Sequence, residues 1–347
     1  MVLNLSILTF LTQDGLTTGA IYALVALALV LVFAVTRVIL VSQGDFVAFS
    51  ALTMASLQAD MLPASVWLLT VGAAVVWLKD SLLAFKQGAF KRIALSAMHY
   101  LSAPVLIWLV LTTWDLHQLG IFSKALLSLV IVSPLGPILY RLIYQPIAKS
   151  SVLVLLILSV ALHISLVGIG LWMFGPEGYR TQAFTSASFT MGGAMISAQS
   201  VLVLLVAIVL IVALYLFFGY SMYGKALRAT AFNSAGAQLV GVPTTLAGST
   251  AFFLASFIGA CSGLLIGPIT TLYYDSGFLI SLKGFVAAIM GGLSSYPLAA
   301  LGAFMVGLIE SYATFFASQY KEVIVFTMVL PFLLWLSLTV NPLDEEH

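Results

Sequence analysis

Long, uninterrupted apolar runs constrain this chain more than any other feature of its sequence. The segment VLVLLVAIVLIVALYLFF occupies 201–218 without a charged residue, and similar runs recur along the 347 residues. A helix needs roughly 20 apolar residues to cross the hydrocarbon core of a membrane. Because the runs are continuous rather than alternating, they favour membrane helices over the strands of a membrane barrel.

The composition leads to the same fold class. The chain is 62% hydrophobic and only 7% charged, whereas a soluble domain carries about 25% charged residues. Lipid is therefore the solvent for most of the chain. We predict an all-α, polytopic membrane helical bundle of about 10–11 transmembrane helices, which forms a single transmembrane domain over 1–347.

The predicted spans follow the apolar runs. Two of them are ambiguous, because the fourth is short and the ninth could be a broken or re-entrant segment, so ten spans is the alternative to eleven. The first span is expected to insert uncleaved, since residues 1–30 lack a basic n-region and a small-residue cleavage site. The spans lie near 16–36, 43–60, 63–79, 98–113, 121–140, 150–173, 200–218, 246–270, 280–296, 299–317 and 322–340.

The clearest polar interruption is the segment 224–245, GKALRATAFNSAGAQLVGVPTT. It lies between two apolar runs and carries two of the thirteen basic residues of the chain. We predict a short basic amphipathic helix in the cytoplasm that contacts another molecule. The residues expected to carry this contact are Gly224, Lys225, Ala226, Leu227, Arg228, Leu239 and Gly241.

The distribution of basic residues predicts the orientation, since cytoplasmic loops are enriched in Lys and Arg. We place 224–245 in the cytoplasm and count the spans outward from it. An odd number of spans then puts the N-terminus outside and the C-terminus in the cytoplasm. The longest external loop is then 174–199, which is long enough to receive a partner. Basic residues expected inside are Arg37, Lys79, Lys86, Lys91, Arg92, Arg141, Lys149, Lys225 and Arg228, against Lys124, Arg180 and Lys321 outside.

Small residues recur every four positions at Ala255, Gly259, Gly263 and Gly267. On a helix they form one smooth stripe that lets two backbones approach closely in lipid. Helix packing is the more frequent role of such a stripe. The alternative is a helix that slides against its neighbour.

Four polar residues within or at the ends of predicted spans are candidates for a translocation pathway: Gln43, Asp45, Lys283 and Glu310. Ionisable groups in a membrane are costly and often functional. Asp45 could instead cap a helix N-terminus, and Lys283 could extend to the interface. Glu310 is too far from a helix end for either explanation, so we expect it to face the bundle interior with Lys283 as its partner.

Markers of catalysis are weak in this sequence. The stretch GYSMYGKA at 219–226 nearly matches a phosphate-binding loop, but Ala226 stands where Ser or Thr is needed and the stretch follows a membrane helix. Any ATP must then be hydrolysed by another chain. The spacing of the histidines and the single Cys261 predict no metal site, and no basic face suits a nucleic acid. We predict a protein that is not an enzyme.

The order of these segments resembles the permease subunits of ATP-binding-cassette importers for branched-chain amino acids, a family that also takes up urea and short amides. The resemblance covers about 10–60 and 138–340, and its most specific tract runs from GKALRATAFNSAGAQLVGVP at 224–243 to LKGFVAAIMGGLSSYPLAALGAFMVGLIE at 282–310. One departure is LVSQGD at 40–45, where the family carries N-F-A-H-G-E. Another is 79–120, which is longer than usual and predicts an extra peripheral helix pair.

The resemblance implies a multi-pass permease subunit in a bacterial inner membrane. Its expected partners are a second, different permease subunit, two cytoplasmic ATPases and a periplasmic substrate-binding protein. ATP and Mg would be bound by the ATPases, with no cofactor in this chain, and 224–245 would be the coupling helix. The alternatives are a secondary transporter and a passive channel for small amides or urea. The identity of the substrate and the exact pairing of the permease chains stay open.

Overall fold

A computed structural model describes residues 5–88, 90–191, 194–293 and 295–339. The acidic tail at 344–346 and the C-terminal residue lie outside these ranges. Helices dominate, as predicted. They are α1 Leu5–Thr36, α2 Gln43–Gln58, α3 Ser65–Lys86, α4 Phe90–Thr113, α5 Ile121–Val132, α6 Leu135–Leu139, α7 Val152–Phe174, α8 Ala198–Tyr220, α9 Met222–Phe232, α10 Ser234–Leu239, α11 Thr244–Ile266, α12 Gly277–Met290, α13 Tyr296–Ala317, α14 Lys321–Thr327 and α15 Val329–Thr339.

Within the described residues, eight helical stretches are long and apolar enough to cross a membrane. This is fewer than the predicted 10–11, and the difference has local causes. The predicted span 43–60 is a helix of 16 residues, which is only about 24 Å long at 1.5 Å per residue. The predicted span 280–296 is a helix of 14 residues, and the last two predicted spans belong to one stretch, Tyr296–Leu334.

The chain divides into two compact units. The first holds the described residues of 1–30, 185–213 and 279–347. The second holds 31–184 and 214–278. Three helices, α1, α8 and α12, contribute residues to both.

In the first unit, α1 and α13 approach each other closely through small residues. A side-chain carbon added at Gly15 would lie 2.8 Å from the Cα of Leu308, and one added at Gly19 would lie 2.9 Å from the Cα of Phe304. Neither position has room for a larger residue. The glycines therefore allow contact between the two backbones, as in other membrane helix pairs.

In the second unit, α11 packs against α2 through the predicted stripe. A side-chain carbon at Gly259 would lie 2.9 Å from Cβ of Phe46, and one at Gly263 would collide with the carbonyl oxygen of Val47. Ala255 is fully buried, whereas Gly267 faces Thr181 instead of α2. α2 itself is almost wholly buried, so this short helix forms the centre of its unit.

The predicted external loop 174–199 contains structure that the sequence did not indicate. Strands β1 Ser188–Met191 and β2 Ala194–Ser197 form an antiparallel pair in the first unit, with Ser188 opposite Ser197. In the second unit, Tyr179 pairs with Leu272 through two backbone hydrogen bonds of 2.9 Å. The two parts of the loop are therefore ordered by different neighbours.

The longer region at 79–120 includes α4, which packs against α3 in the second unit. The rings of Trp67 and Trp108 meet edge to face at 5.0 Å, and the Trp108 indole donates to Thr70 Oγ1 over 3.1 Å. Only 12% of the most apolar window of α4 is buried. Most of this helix therefore presents an apolar surface suited to lipid.

Candidate functional site

The polar segment folds as two short helices joined at one residue. Ser221 caps α9, and its side-chain oxygen accepts from the Gly224 amide over 2.9 Å. Asn233 ends α9 and caps α10, where its side chain accepts from the Gly236 amide over 2.8 Å. Gly241 follows with φ 88°, a left-handed conformation that glycine adopts at little cost. The chain therefore changes direction at Asn233 and again at Gly241.

The predicted contact residues differ in their exposure. Lys225 and Arg228 are exposed, Ala226 is half-buried, and Leu239 is 89% exposed. Leu227 is only 2% exposed, so it supports the packing of α9 rather than facing outward. Gly224 lies against the backbone of Phe217.

Phe232 is 95% exposed, although sequence reasoning did not select it. It ends α9, immediately before the Asn233 cap. A large apolar residue beside a helix break in a polar segment is the signal that could have identified it. We define the α9–α10 surface as the exposed residues Lys225, Arg228, Phe232, Leu239 and Val240.

The start of α2 holds the first buried polar group, in the second unit. Gln43 donates from Nε2 to the carbonyl oxygen of Ala255 over 2.9 Å. Asp45 binds His163 of α7, whose Nδ1 lies 2.9 Å from both carboxylate oxygens. The His163 ring also stacks on Phe278 at 5.0 Å. Asp45 thus occupies the first turn of α2, where a dipole interaction is favourable, and also forms an ion pair when His163 is protonated.

Three buried polar side-chain atoms near this pair form no hydrogen bond of good geometry among the described residues. They are Ser42 Oγ, Gln43 Oε1 and Tyr144 Oη. The hydroxyl of Tyr144 faces those of Ser42 and Ser159. The side chains of Ser42, Tyr144 and Ser159 therefore form a cluster of hydroxyl groups beside the Asp45–His163 pair.

Lys283 and Glu310 form an ion pair in the first unit, the pairing expected from the sequence. The Tyr22 hydroxyl donates to the second oxygen of Glu310 over 2.6 Å. Lys283 Nζ also lies 3.2 Å from Glu322 Oε1. The side chain of Lys283 is 6% exposed and that of Glu310 is 14% exposed, so both charges lie inside the protein and their partners are other side chains.

The pathway candidates therefore fall into two groups. Gln43 and Asp45 belong to the second unit, with His163, while Lys283 and Glu310 belong to the first. The sequence patterns bear on His163 only as one of the histidines whose spacing predicts no metal site. No local signal links it to Asp45, because the two residues are 118 positions apart.

Comparisons with known proteins agree with one another. The permease protein LivH of the high-affinity branched-chain amino acid transport system is 26% identical over 277 residues in Salmonella typhimurium and in Escherichia coli K12, covering 77% of this chain and 88% of each relative. BraD of the corresponding system in Pseudomonas aeruginosa is 26% identical over 275 residues, with the same coverage. No solved structure matches.

A family model matches most of the chain. The model described as branched-chain amino acid transport system, permease component, matches residues 81–334. This range includes α7, the α9–α10 surface and Lys283 with Glu310. The chain therefore belongs to the family of permease components of branched-chain amino acid transport systems.

Proposed function

We propose that this chain is the transmembrane permease subunit of an ATP-binding-cassette importer that moves a branched-chain amino acid or a related small polar solute inward. The observation that carries the proposal is the α9–α10 surface. It combines two cations with apolar side chains that are more than three-quarters exposed, including Phe232 at 95% and Leu239 at 89%.

This combination suits a protein partner better than lipid or water. Exposed apolar clusters beside polar residues commonly mark interaction sites. The hydrocarbon core is an unfavourable place for Lys225 and Arg228, while water is unfavourable for Phe232 and Leu239. A groove in an ATPase satisfies both requirements, so separate ATPase subunits bind this surface and drive transport.

The other members of the assembly follow from the separation of the permease and the ATPases into different chains. ATP and Mg are bound by two cytoplasmic ATPases, and this chain carries no cofactor. A second, different permease subunit completes the pore, and a periplasmic binding protein delivers the solute. The chain lies in a bacterial inner membrane with its N-terminus outside and its C-terminus in the cytoplasm. The named relatives belong to branched-chain amino acid systems, which supports that substrate class.

The translocation pathway is proposed to involve Gln43, Asp45, Lys283 and Glu310, with His163 added by its contact with Asp45. The same groups favour one alternative function. Secondary transporters carry paired ionisable residues within the membrane, and two such pairs are buried here. A transporter of that kind would have no need for an ATPase on α9–α10.

Co-purification tests the proposal. An ATPase should follow the wild-type chain in detergent, and the Phe232→Ser/Leu239→Ser variant should lose it because two apolar anchors are removed. Met61→Ser is the matched control, since Met61 is 52% exposed and lies in the connection between α2 and α3, away from the α9–α10 surface in the sequence. The proposal fails if no ATPase is recovered, or if the double variant retains it as the wild type does.

A further inference from the structure

A cavity of about 1080 Å³ opens beside the α9–α10 surface within the second unit. Its walls come from the end of α1 at 34–37, the connection before α7 at 145–152 and residues 230–234 of α9 and α10. Both charged residues that line it, Arg37 and Lys149, are basic, and its described lining contains no acidic residue.

Neither cation has a carboxylate partner among the described residues. The Arg37 guanidinium lies 5.8 Å from the centre of the Phe33 ring, and Lys149 is exposed. Ser151 and Val152, at the capped N-terminus of α7, also line the cavity. Their free amide groups add to the positive potential there.

The backbone of Arg37 supports a role for its side chain. Arg37 follows the last residue of α1 and has φ 60°. Glycine or asparagine usually occupies such a left-handed position after a helix, and another residue there is strained. A cation near the C-terminal end of α1 interacts favourably with the helix dipole. That interaction does not require the cation to occupy the left-handed position of residue 37.

We propose that this cavity receives acidic side chains of the cytoplasmic ATPase, which pair with Arg37 and Lys149. The inference rests on the proposed function and extends it to a second contact. Residues of α9 and α10 form both the α9–α10 surface and one wall of the cavity. A partner seated on that surface therefore covers the cavity as well.

Charge complementarity selects the occupant. A neutral or basic protrusion would desolvate two cations without replacing their lost hydration. A carboxylate can accept two parallel hydrogen bonds from Arg37 and a further one from Lys149. An anionic lipid headgroup offers similar chemistry, and the experiment treats it as the competing occupant.

The test measures the affinity of the purified permease, in lipid-free detergent, for the ATPase recovered by co-purification. The variants are Arg37→Gly, Lys149→Gln, their combination and Arg37→Lys. Lys86→Gln is the matched control, because Lys86 is an exposed lysine at the end of α3 and does not line the cavity.

The double variant should bind about tenfold more weakly at low salt and should lose most of the salt dependence of binding. Arg37→Lys should bind more tightly than Arg37→Gly but more weakly than the wild type, because it keeps the charge and loses the two parallel hydrogen bonds. Arg37→Gly should have an unchanged or higher thermal midpoint, since glycine relieves the backbone strain. These results together would separate a loss of contact from a loss of folding.

Two outcomes would overturn the inference. In the first, the double variant binds the ATPase with wild-type affinity and salt dependence. In the second, the double variant also binds the ATPase as the wild type does, but it no longer gains thermal stability from phosphatidylglycerol added to the detergent, which would assign the cavity to lipid. In both cases the Phe232→Ser/Leu239→Ser result still decides the proposed function, so failure of one can be distinguished from failure of the other.

Discussion

At the scale of single residues, the buried acidic and basic side chains that the structure describes all have a partner of opposite type. Lys283 contacts both Glu310 and Glu322, and Asp45 contacts His163. Removing one member of a buried pair leaves an uncompensated charge, which typically costs about 3–5 kcal/mol. Replacing both members with apolar residues is often neutral.

Lys283→Met should therefore lower the thermal midpoint of the purified protein more than Lys283→Met/Glu310→Leu does. In the single variant, Glu310 keeps its charge and retains only the Tyr22 hydrogen bond. In the double variant, the remaining acid is Glu322, whose side chain is 34% exposed and can be hydrated. A double variant that is less stable than the single one would contradict this explanation.

The same residues show how far side-chain partners could be predicted. The pairing of Lys283 with Glu310 was predictable because charged residues are rare in the apolar runs. Each of the two therefore has few possible partners of opposite charge. The contact between His163 and Asp45 was not, since it depends on how α7 packs against α2. The exposure of Phe232 likewise depends on the break at Asn233.

At the scale of helices, the contact between α2 and α11 depends on backbone proximity. Gly259 and Gly263 bring α11 against Phe46 and Val47. Ser50 Oγ then donates to the carbonyl oxygen of Ala260 over 2.9 Å, a hydrogen bond that requires close helices. Packing and such hydrogen bonds are what hold helices together in lipid.

Gly259→Leu should separate α2 from α11 and lower the thermal midpoint or the yield of the purified protein, because dispersion contacts along the stripe are lost. Gly168→Leu is the matched control. Gly168 lies in α7, and nothing lies within 4 Å of a side-chain carbon added there. Equal thermal midpoints for the two variants would show that the α2–α11 contact contributes little to stability.

Helix boundaries were predictable where an apolar run stands alone, as for α7 and α8. They were less predictable where the run includes a short buried helix. Burial of α2 inside its unit frees it from the length that a complete crossing requires. Hydropathy reports the apolar character of the segment but not whether lipid or protein surrounds it, and for that reason it does not distinguish α2 from a complete crossing.

At the scale of the whole molecule, the fold class and the family could both be predicted from the sequence. Composition and continuous apolar runs require a helical membrane protein, and the tracts at 224–243 and 282–310 carry the resemblance. The orientation of the termini stays a prediction, because it depends on the distribution of basic residues rather than on packing. The source of energy for transport is the remaining question at this scale, and it separates the two candidate functions.

If the chain is the permease of an ATP-driven importer, uptake into vesicles that contain the complete assembly should require hydrolysable ATP. A non-hydrolysable analogue should bind the ATPase without sustaining uptake, and a proton or sodium gradient alone should give none.

The Glu310→Gln variant distinguishes the two candidate functions further. In an ATP-driven importer Glu310 supports the bundle. Glutamine can still accept from Tyr22, and Glu322 still lies beside the Lys283 charge, so uptake should largely persist. In a secondary transporter that relays protons through Glu310, the same change would abolish uptake and its pH dependence. Uptake driven by a gradient alone, and lost in Glu310→Gln with assembly intact, would therefore replace the importer with the secondary transporter.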